Sequence, residues 1–206
     1  MHARSTTVGA RPQSIDAGIA LVRDEVLPQM LEMAGCQGLS MLVDRTSGRT
    51  IVTSSWQTQE AMDASVDRVR PLRERAVETL GARYEVEEWE IAVMHRAHHS
   101  AEGACVRATW LQVAPSRIER ALDVFRLASL PAMELMEGFC SASLMVNRET
   151  GRAVSSVTFD GLAAMERTRE QGAVIRSTGA EEARAEIIDV GEFELVLAHL
   201  HVPEMA

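Results

Sequence analysis

Two stretches of the chain carry the same alternation of apolar and polar residues, interrupted at the same place by a polar turn. The first runs from Gly35 to Trp56 and the second from Gly138 to Phe159, at a constant shift of 103 positions. Alternating residues point to opposite faces of a β-strand, and a glycine in the turn tolerates positive φ, so each stretch predicts a β-hairpin. Because 103 is half of 206 residues, the chain is predicted to be one unit, duplicated and fused.

The segment before each hairpin has apolar residues at steps of three and four, which is the spacing of one helical face. These stripes run over residues 15–33 and 118–136. Each contains a proline at the matching position, Pro28 or Pro131. Proline removes an intrahelical hydrogen bond and clashes with the preceding turn, so each helix is predicted to bend or break there.

A second helix and two further strands complete each half. Thr58 is the predicted N-cap of a helix that ends near Leu80. Its counterpart, from Gly161 to about Thr178, is expected to be shorter, because polar or small residues replace part of the apolar stripe. Further alternating segments predict strands over 5–8, 85–94, 105–113 and 193–201.

The order of elements in each half is therefore β-α-β-β-α-β, which is ferredoxin-like: an antiparallel sheet with both helices on one face. The predicted fold class is α+β, with a first repeat over 1–97, a polar linker over 98–104 and a second repeat over 105–206. Because both helices of a half lie on one face of its sheet, the apolar residues of the other face must be buried elsewhere. The sheet of the other half is the surface that could cover them.

Composition narrows the range of functions. The net charge of -9 argues against nucleic acid and anionic membranes as partners, because both require concentrated positive charge. The chain has no lysine, which removes phosphate-loop and Schiff-base chemistry. Three cysteines without a CxxC motif, and the lack of a signal-peptide or membrane-spanning stretch, predict a cytoplasmic protein.

The element order, the glycine–aromatic step Gly138-Phe139 after a helix, and hairpins that end in Trp56 and Phe159 resemble the antibiotic-biosynthesis-monooxygenase-like (ABM) domains of the dimeric α/β-barrel superfamily. The resemblance covers nearly the whole chain, twice. It implies that the two sheets pair into an intramolecular, pseudo-dimeric α/β barrel; further homodimerisation is left open.

The same resemblance implies a function that acts on small molecules. One expectation is a cofactor-independent monooxygenase with an apolar or aromatic substrate. The alternative is a non-catalytic ligand-binding or interaction module of the same fold, because one fold carries many functions. No cofactor is expected in either case.

Histidines are the first candidates for catalysis. His95 and His199 end the last strand of the two halves at equivalent positions, and their near-neutral pKa would suit a general base. The simpler interpretation is strand-end histidines bonded to backbone or water. His98 and His99 lie close to His95 in sequence, but no cysteine or carboxylate accompanies them at ligand spacing, so no metal site is expected.

Tryptophans are the candidates for substrate binding, because a flat indole suits an aromatic ligand. Trp56 and Trp89 have aromatic counterparts in the other half, which favours a core role. Trp110 has none, since Thr7 occupies its place, and it is the preferred ligand contact. Ser54, in the first hairpin, could bond a polar group. At most one working site is expected, and the less altered first half is favoured for it.

Overall fold

The structure is a computed structural model that describes residues 1–81, 83–200 and 203–205. Within these residues the chain forms eight β-strands, four from each half of the sequence. They are β1 (His2–Gly9), β2 (Cys36–Val43), β3 (Arg49–Trp56), β4 (Tyr84–Arg96), β5 (Cys105–Gln112), β6 (Phe139–Val146), β7 (Arg152–Phe159) and β8 (Glu186–Leu200). The last predicted residue of β8, His201, lies outside the described residues.

Eight α-helical segments lie between these strands in the described part of the chain. They are α1 (Ile15–Leu21), α2 (Leu27–Leu31), α3 (Gln59–Ala64), α4 (Val66–Leu80), α5 (Ile118–Val124), α6 (Leu130–Glu134), α7 (Leu162–Arg167) and α8 (Arg169–Ala183). The Thr58 hydroxyl caps α3 by accepting a hydrogen bond from the Ala61 N–H at 3.1 Å, as predicted. No helix among the described residues is both long enough and apolar enough to cross a membrane.

The predicted break at each proline takes the form of a π-helical turn. Val22–Val26 joins α1 to α2, and Phe125–Ser129 joins α5 to α6. Pro28 and Pro131 are each the second residue of the helix that follows. Proline has no N–H to donate, and a change of hydrogen-bond pattern just before it lets the helical segment continue.

The strands form one antiparallel sheet in the order β1-β3-β2-β8-β5-β7-β6-β4, which closes into a barrel. Closure removes the free sheet edges that would otherwise need protection. The α+β fold class and the ferredoxin-like order of each half, predicted from the sequence, are confirmed.

The turn glycines of the two hairpins are required at their positions. Gly48 and Gly151 have φ values of 78° and 75°. A Cβ at Gly48 would lie 2.2 Å from the Ala10 carbonyl oxygen, and one at Gly151 would lie 1.9 Å from the Val113 carbonyl oxygen. Both the backbone conformation and the close approach therefore exclude a side chain.

The chain divides into two compact units. Within the described residues, the first unit contains 1–81, 83–89 and 195–200, and the second contains 90–194 and 203–205. The ends of the long strands β4 and β8 are therefore grouped apart from their beginnings. The repeat boundaries at 97 and 105 follow sequence similarity and stay a prediction.

Each unit has its own core between helices and sheet. The methionines of the helical stripes belong to these cores, as their spacing predicts. The buried methionines on these stripes are Met30, Met33 and Met62 in the first unit and Met133, Met136 and Met165 in the second.

The expectation of a shorter second helix in the second half was wrong. The α8 helix has 15 residues, the same length as α4. Arg169 and Gly172 stand where α4 has Val66 and Val69. These residues do not shorten the helix, because they face a buried arginine and its carboxylate partner rather than an apolar core.

Candidate functional site

The second unit contains an apolar cavity between its helices and its sheet. The space between its lining side chains is about 650 Å³ and continues into open solvent, and about 60 Å³ of it can hold the centre of a water molecule. Helices α5 and α8 and the π-helical turn form one wall, and strands β5, β6 and β7 form the other. Apolar side chains dominate the lining, among them Leu111, Phe125, Met133, Leu144 and Ile175.

Four polar residues interrupt this lining. Thr109 and Ser155 come from the sheet, Ser129 from the π-helical turn and Arg176 from α8. Among the described lining residues, Arg176 is the one that carries a charge, and neither a carboxylate nor an imidazole is present. The cavity therefore suits a mostly apolar molecule that has one polar or anionic end.

The first unit has a cavity at the equivalent place, of about 510 Å³. Thr6, Met30 and Arg73 line it, and they correspond in the repeat to residues of the second cavity. Arg4 and Ser54 also line it. The location of both cavities thus follows from the duplicated fold.

The second cavity is larger because smaller residues line it. Ala183 replaces Leu80, whose side chain is fully buried against Gly18 in the first unit. Ala180 likewise replaces Val77. Two serines also take the places of valines in the second unit, Ser129 for Val26 and Ser155 for Val52.

A buried arginine–glutamate pair lies beside each cavity. In the second unit Arg107 donates from Nε to Glu192 Oε1 at 2.9 Å and from Nη2 to the Met165 carbonyl at 2.6 Å. In the first unit Arg4 donates from Nε to Glu88 Oε1 at 2.7 Å. Sequence reasoning missed both arginines; the available signal was a charged residue at the same position of an apolar strand in both copies.

A second arginine stands near each buried pair. Burial lowers the pKa of Arg73 and of Arg176, and the positive charge of Arg4 or Arg107 lowers it further. Like charges that approach one another at a cavity favour the binding of an anion between them.

Two of the predicted tryptophans donate hydrogen bonds to serines within the first unit. Trp56 Nε1 donates to Ser54 Oγ at 3.0 Å, and Trp89 Nε1 donates to Ser5 Oγ at 2.9 Å. Both indoles are buried. Ser54 lines the first cavity, where its hydroxyl also donates to the Arg4 carbonyl at 3.3 Å.

Trp110 lies on the other face of its strand from the second cavity. Its neighbours Thr109 and Leu111 belong to the cavity lining, whereas Trp110 does not. The ring packs edge-on against Phe193, with centroids 6.2 Å apart. A ligand in the cavity would therefore touch its neighbours rather than the indole.

His95 is held by two carboxylates. Its Nε2 lies 2.6 Å from Glu134 Oε1 and its Nδ1 lies 2.7 Å from Glu204 Oε1, while its ring stacks on Phe139. His199 is partly buried on β8. Neither histidine is among the described residues that line the two cavities.

The expectation that no cysteine or carboxylate accompanies the histidines near the linker was wrong. His98 Nε2 lies 2.9 Å from Asp160 Oδ1, and the Cys140 thiol donates to the same oxygen at 3.2 Å. The three potential ligand atoms lie within 4.8 Å of one another. Burial, followed by the bond to Asp160, raises the pKa of the Cys140 thiol to about 12, which favours the protonated thiol that donates to Asp160.

Comparison with known proteins identifies close relatives. The chain is 54% identical over 205 residues to the uncharacterised protein Rv2557 of Mycobacterium tuberculosis, which covers 100% of this chain and 92% of that protein. Rv2558 of the same organism is also 54% identical, over 206 residues that cover 100% of this chain and 87% of that protein. No protein-family model matches the chain.

Solved structures share the fold at low sequence identity. An anthrone oxidase-like protein is 12% identical with a TM-score of 0.69, over 95% of this chain and 91% of the other. A ferredoxin-fold protein from Listeria monocytogenes, related to antibiotic biosynthesis monooxygenases, is 11% identical with a TM-score of 0.52, over 95% and 94%. A major regulator of staphylococcal pathogenesis is 8% identical with a TM-score of 0.56, over 95% and 98%. The fold is thus ABM-like, as the sequence resemblance predicts.

Proposed function

The chain belongs to the family of Rv2557 and Rv2558 of Mycobacterium tuberculosis, and we propose that it is a small-molecule enzyme, a monooxygenase that oxidises an apolar or aromatic substrate with O2 and without an organic cofactor. The observation that carries this proposal is the apolar cavity of the second unit, whose described lining residues include a single charged one, Arg176. The anthrone oxidase-like protein of the same fold supports the reaction class.

The substrate would supply the electrons for the reaction. Loss of a proton from an activated CH2 group gives a carbanion, which reduces O2 and forms a carbon–oxygen bond as a hydroperoxide. Loss of water then leaves a carbonyl group, so that CH2 and O2 become C=O and H2O. One oxygen atom enters the product and the other leaves as water, and both hydrogens come from the substrate.

The protein would contribute a dry cavity and positive charge. Apolar walls exclude water from the reactive carbanion. The guanidinium of Arg176 would stabilise negative charge on the substrate, which makes the substrate more acidic. The described lining residues offer no imidazole or carboxylate, so the proton would pass to solvent at the open side of the cavity. His95 and His199 were predicted from the sequence as bases, and neither is among the described residues that line the two cavities.

Oxygen uptake with an anthrone as substrate tests this function. We expect uptake that depends on the protein, with one atom of 18O from 18O2 in each molecule of product. Ala183→Leu, which introduces the residue found at this place in the first unit, should abolish uptake by filling the cavity. The same uptake in this variant would contradict a reaction in the second cavity.

A non-catalytic ligand-binding or interaction module is the second candidate. It is favoured by the lack of an acid–base side chain among the described lining residues of the second cavity. The staphylococcal regulator with the same fold also supports a role other than catalysis. A ligand that co-purifies with the chain and binds without any oxygen uptake would favour this candidate over the enzyme.

A further inference from the structure

The missing side chain of Gly172 leaves a gap in the surface of α8, and the ends of two arginine side chains enter it. A Cβ at this position would lie 2.9 Å from Nη1 of Arg107 and 3.4 Å from Nη1 of Arg176. Both nitrogens therefore approach one point, at the place where any other residue would have its side chain. In the first unit the equivalent residue is Val69, which is buried and occupies the corresponding space.

One nitrogen at this gap lacks a partner. Arg107 is only 3% exposed, and its Nε and Nη2 donate to Glu192 and to the Met165 carbonyl. Its Nη1 is buried and has no hydrogen-bond partner among the described residues. Buried donors nearly always have an acceptor, and leaving one unpaired costs free energy. An acceptor atom is therefore expected next to Nη1 of Arg107.

Positive charge is in excess around the gap. Glu192 pairs with Arg107 and, through its other oxygen at 2.7 Å, with Arg169. Arg176 makes no direct ion pair within the described part of the chain, and burial together with the charge of Arg107 lowers its pKa. Three guanidinium groups thus lie near a single carboxylate, that of Glu192. A bound anion would reduce this excess of positive charge.

Arg176 connects this gap to the apolar cavity, because its side chain also belongs to the cavity lining. We infer that the ligand of the second unit is an apolar molecule with a single anionic group of the carboxylate type, held between Arg107 and Arg176 over Gly172. The inference rests on the proposed function only in taking this cavity as the ligand site. It assigns the site to the second unit, whereas the sequence favoured the first.

Two fluorescent probes with the same aromatic body test the inference: anionic 1-anilinonaphthalene-8-sulfonate and neutral N-phenyl-1-naphthylamine. We expect the full-length chain to bind the anion at least about ten-fold more tightly, as charge-assisted hydrogen bonds predict. Gly172→Ala displaces Nη1 of Arg107, which its Cβ would approach to 2.9 Å, and Arg176→Met removes one cation. Each should weaken binding of the anionic probe about ten-fold. Affinity for the neutral probe should not change.

Controls separate this inference from the function on which it rests. Arg73→Met makes the equivalent change in the first unit and should leave both affinities unchanged. Arg176→Met should keep the wild-type Tm, because arginine and methionine have similar helix propensities and Arg176 makes no direct ion pair within the described residues, so lost anion affinity in this variant would not reflect unfolding. Equal affinity of the wild type for both probes, or unchanged anion affinity in both variants, would overturn the anion site alone. Failure of both probes to bind the wild type would overturn the cavity as a ligand site as well.

Discussion

Ala183 in α8 occupies the position that Leu80 holds in α4, and both residues line the cavity of their unit. The leucine side chain fills its cavity, whereas the alanine leaves space for a ligand. This single difference between the two copies accounts for part of the larger volume in the second unit.

Replacement of Leu80 by alanine should destabilise the protein. The side chain is fully buried, and removal of such a leucine costs about 3 kcal/mol in lost transfer free energy and a residual cavity. Urea unfolding measures the change in the free energy of unfolding. Leu135→Ala is the control, because that side chain is 82% exposed and its loss should leave the unfolding midpoint where it is. Equal effects of the two substitutions would contradict the packing described for α4.

Replacement of Glu192 by glutamine should leave Arg107 without a counter-charge in the interior. Breaking a buried ion pair typically costs about 3 kcal/mol or more, and the 29% exposure of the Glu192 side chain argues for the lower end. The change is measured as a lower free energy of unfolding. Glu137→Gln breaks the exposed pair with Arg167 instead and should not shift the unfolding midpoint. A midpoint for Glu192→Gln equal to that of the wild type would show that the pair contributes no stability.

Replacement of Asp160 by asparagine should have an effect that depends on pH. The hydrogen bonds from His98 and Cys140 hold the pKa of Asp160 below its ordinary value. A carboxylate with a depressed pKa stabilises the folded state above its unfolded pKa, and that stabilisation is lost as pH falls through the folded pKa. Asp160→Asn should therefore lower the urea midpoint at pH 6 but not near pH 2. The effect should be small, because Asp160 is exposed; an equal loss at both pH values would contradict the linkage.

Joint replacement of His95 and His199 by glutamine tests the predicted general bases. Neither histidine lines a cavity in the described structure, and both ring nitrogens of His95 face carboxylates. We therefore expect the double variant to retain oxygen uptake. Lost uptake together with unchanged binding of N-phenyl-1-naphthylamine would instead identify a histidine as the proton acceptor.

The hairpins were predictable because their signal is local. Strict alternation and a turn glycine specify β2–β3 and β6–β7, and Gly48 and Gly151 adopt the positive φ that their position requires. The length of α8 was not predictable from its apolar stripe. Gly172 and Arg169 weaken that stripe, but they face the Arg107–Glu192 pair, which the sequence does not reveal.

The candidate site was not predictable in detail, because residues far apart in sequence form it. Arg107 and Glu192 are 85 positions apart, and His98 and Asp160 are 62 positions apart. Sheet pairing brings such residues together, and a single sequence carries no direct record of it. The repeat aligns Ala183 with Leu80, but the predicted helix ended near Thr178, so the size difference between the cavities was not predicted.

Native mass spectrometry of the freshly purified chain, of Ala183→Leu and of Leu80→Ala tests most directly whether the second cavity holds a small molecule. We predict one organic ligand per wild-type chain, released on denaturation, absent from Ala183→Leu and retained by Leu80→Ala. The same bound mass on Ala183→Leu, or a wild-type chain that carries no ligand even after incubation with 1-anilinonaphthalene-8-sulfonate, would contradict a ligand site in that cavity.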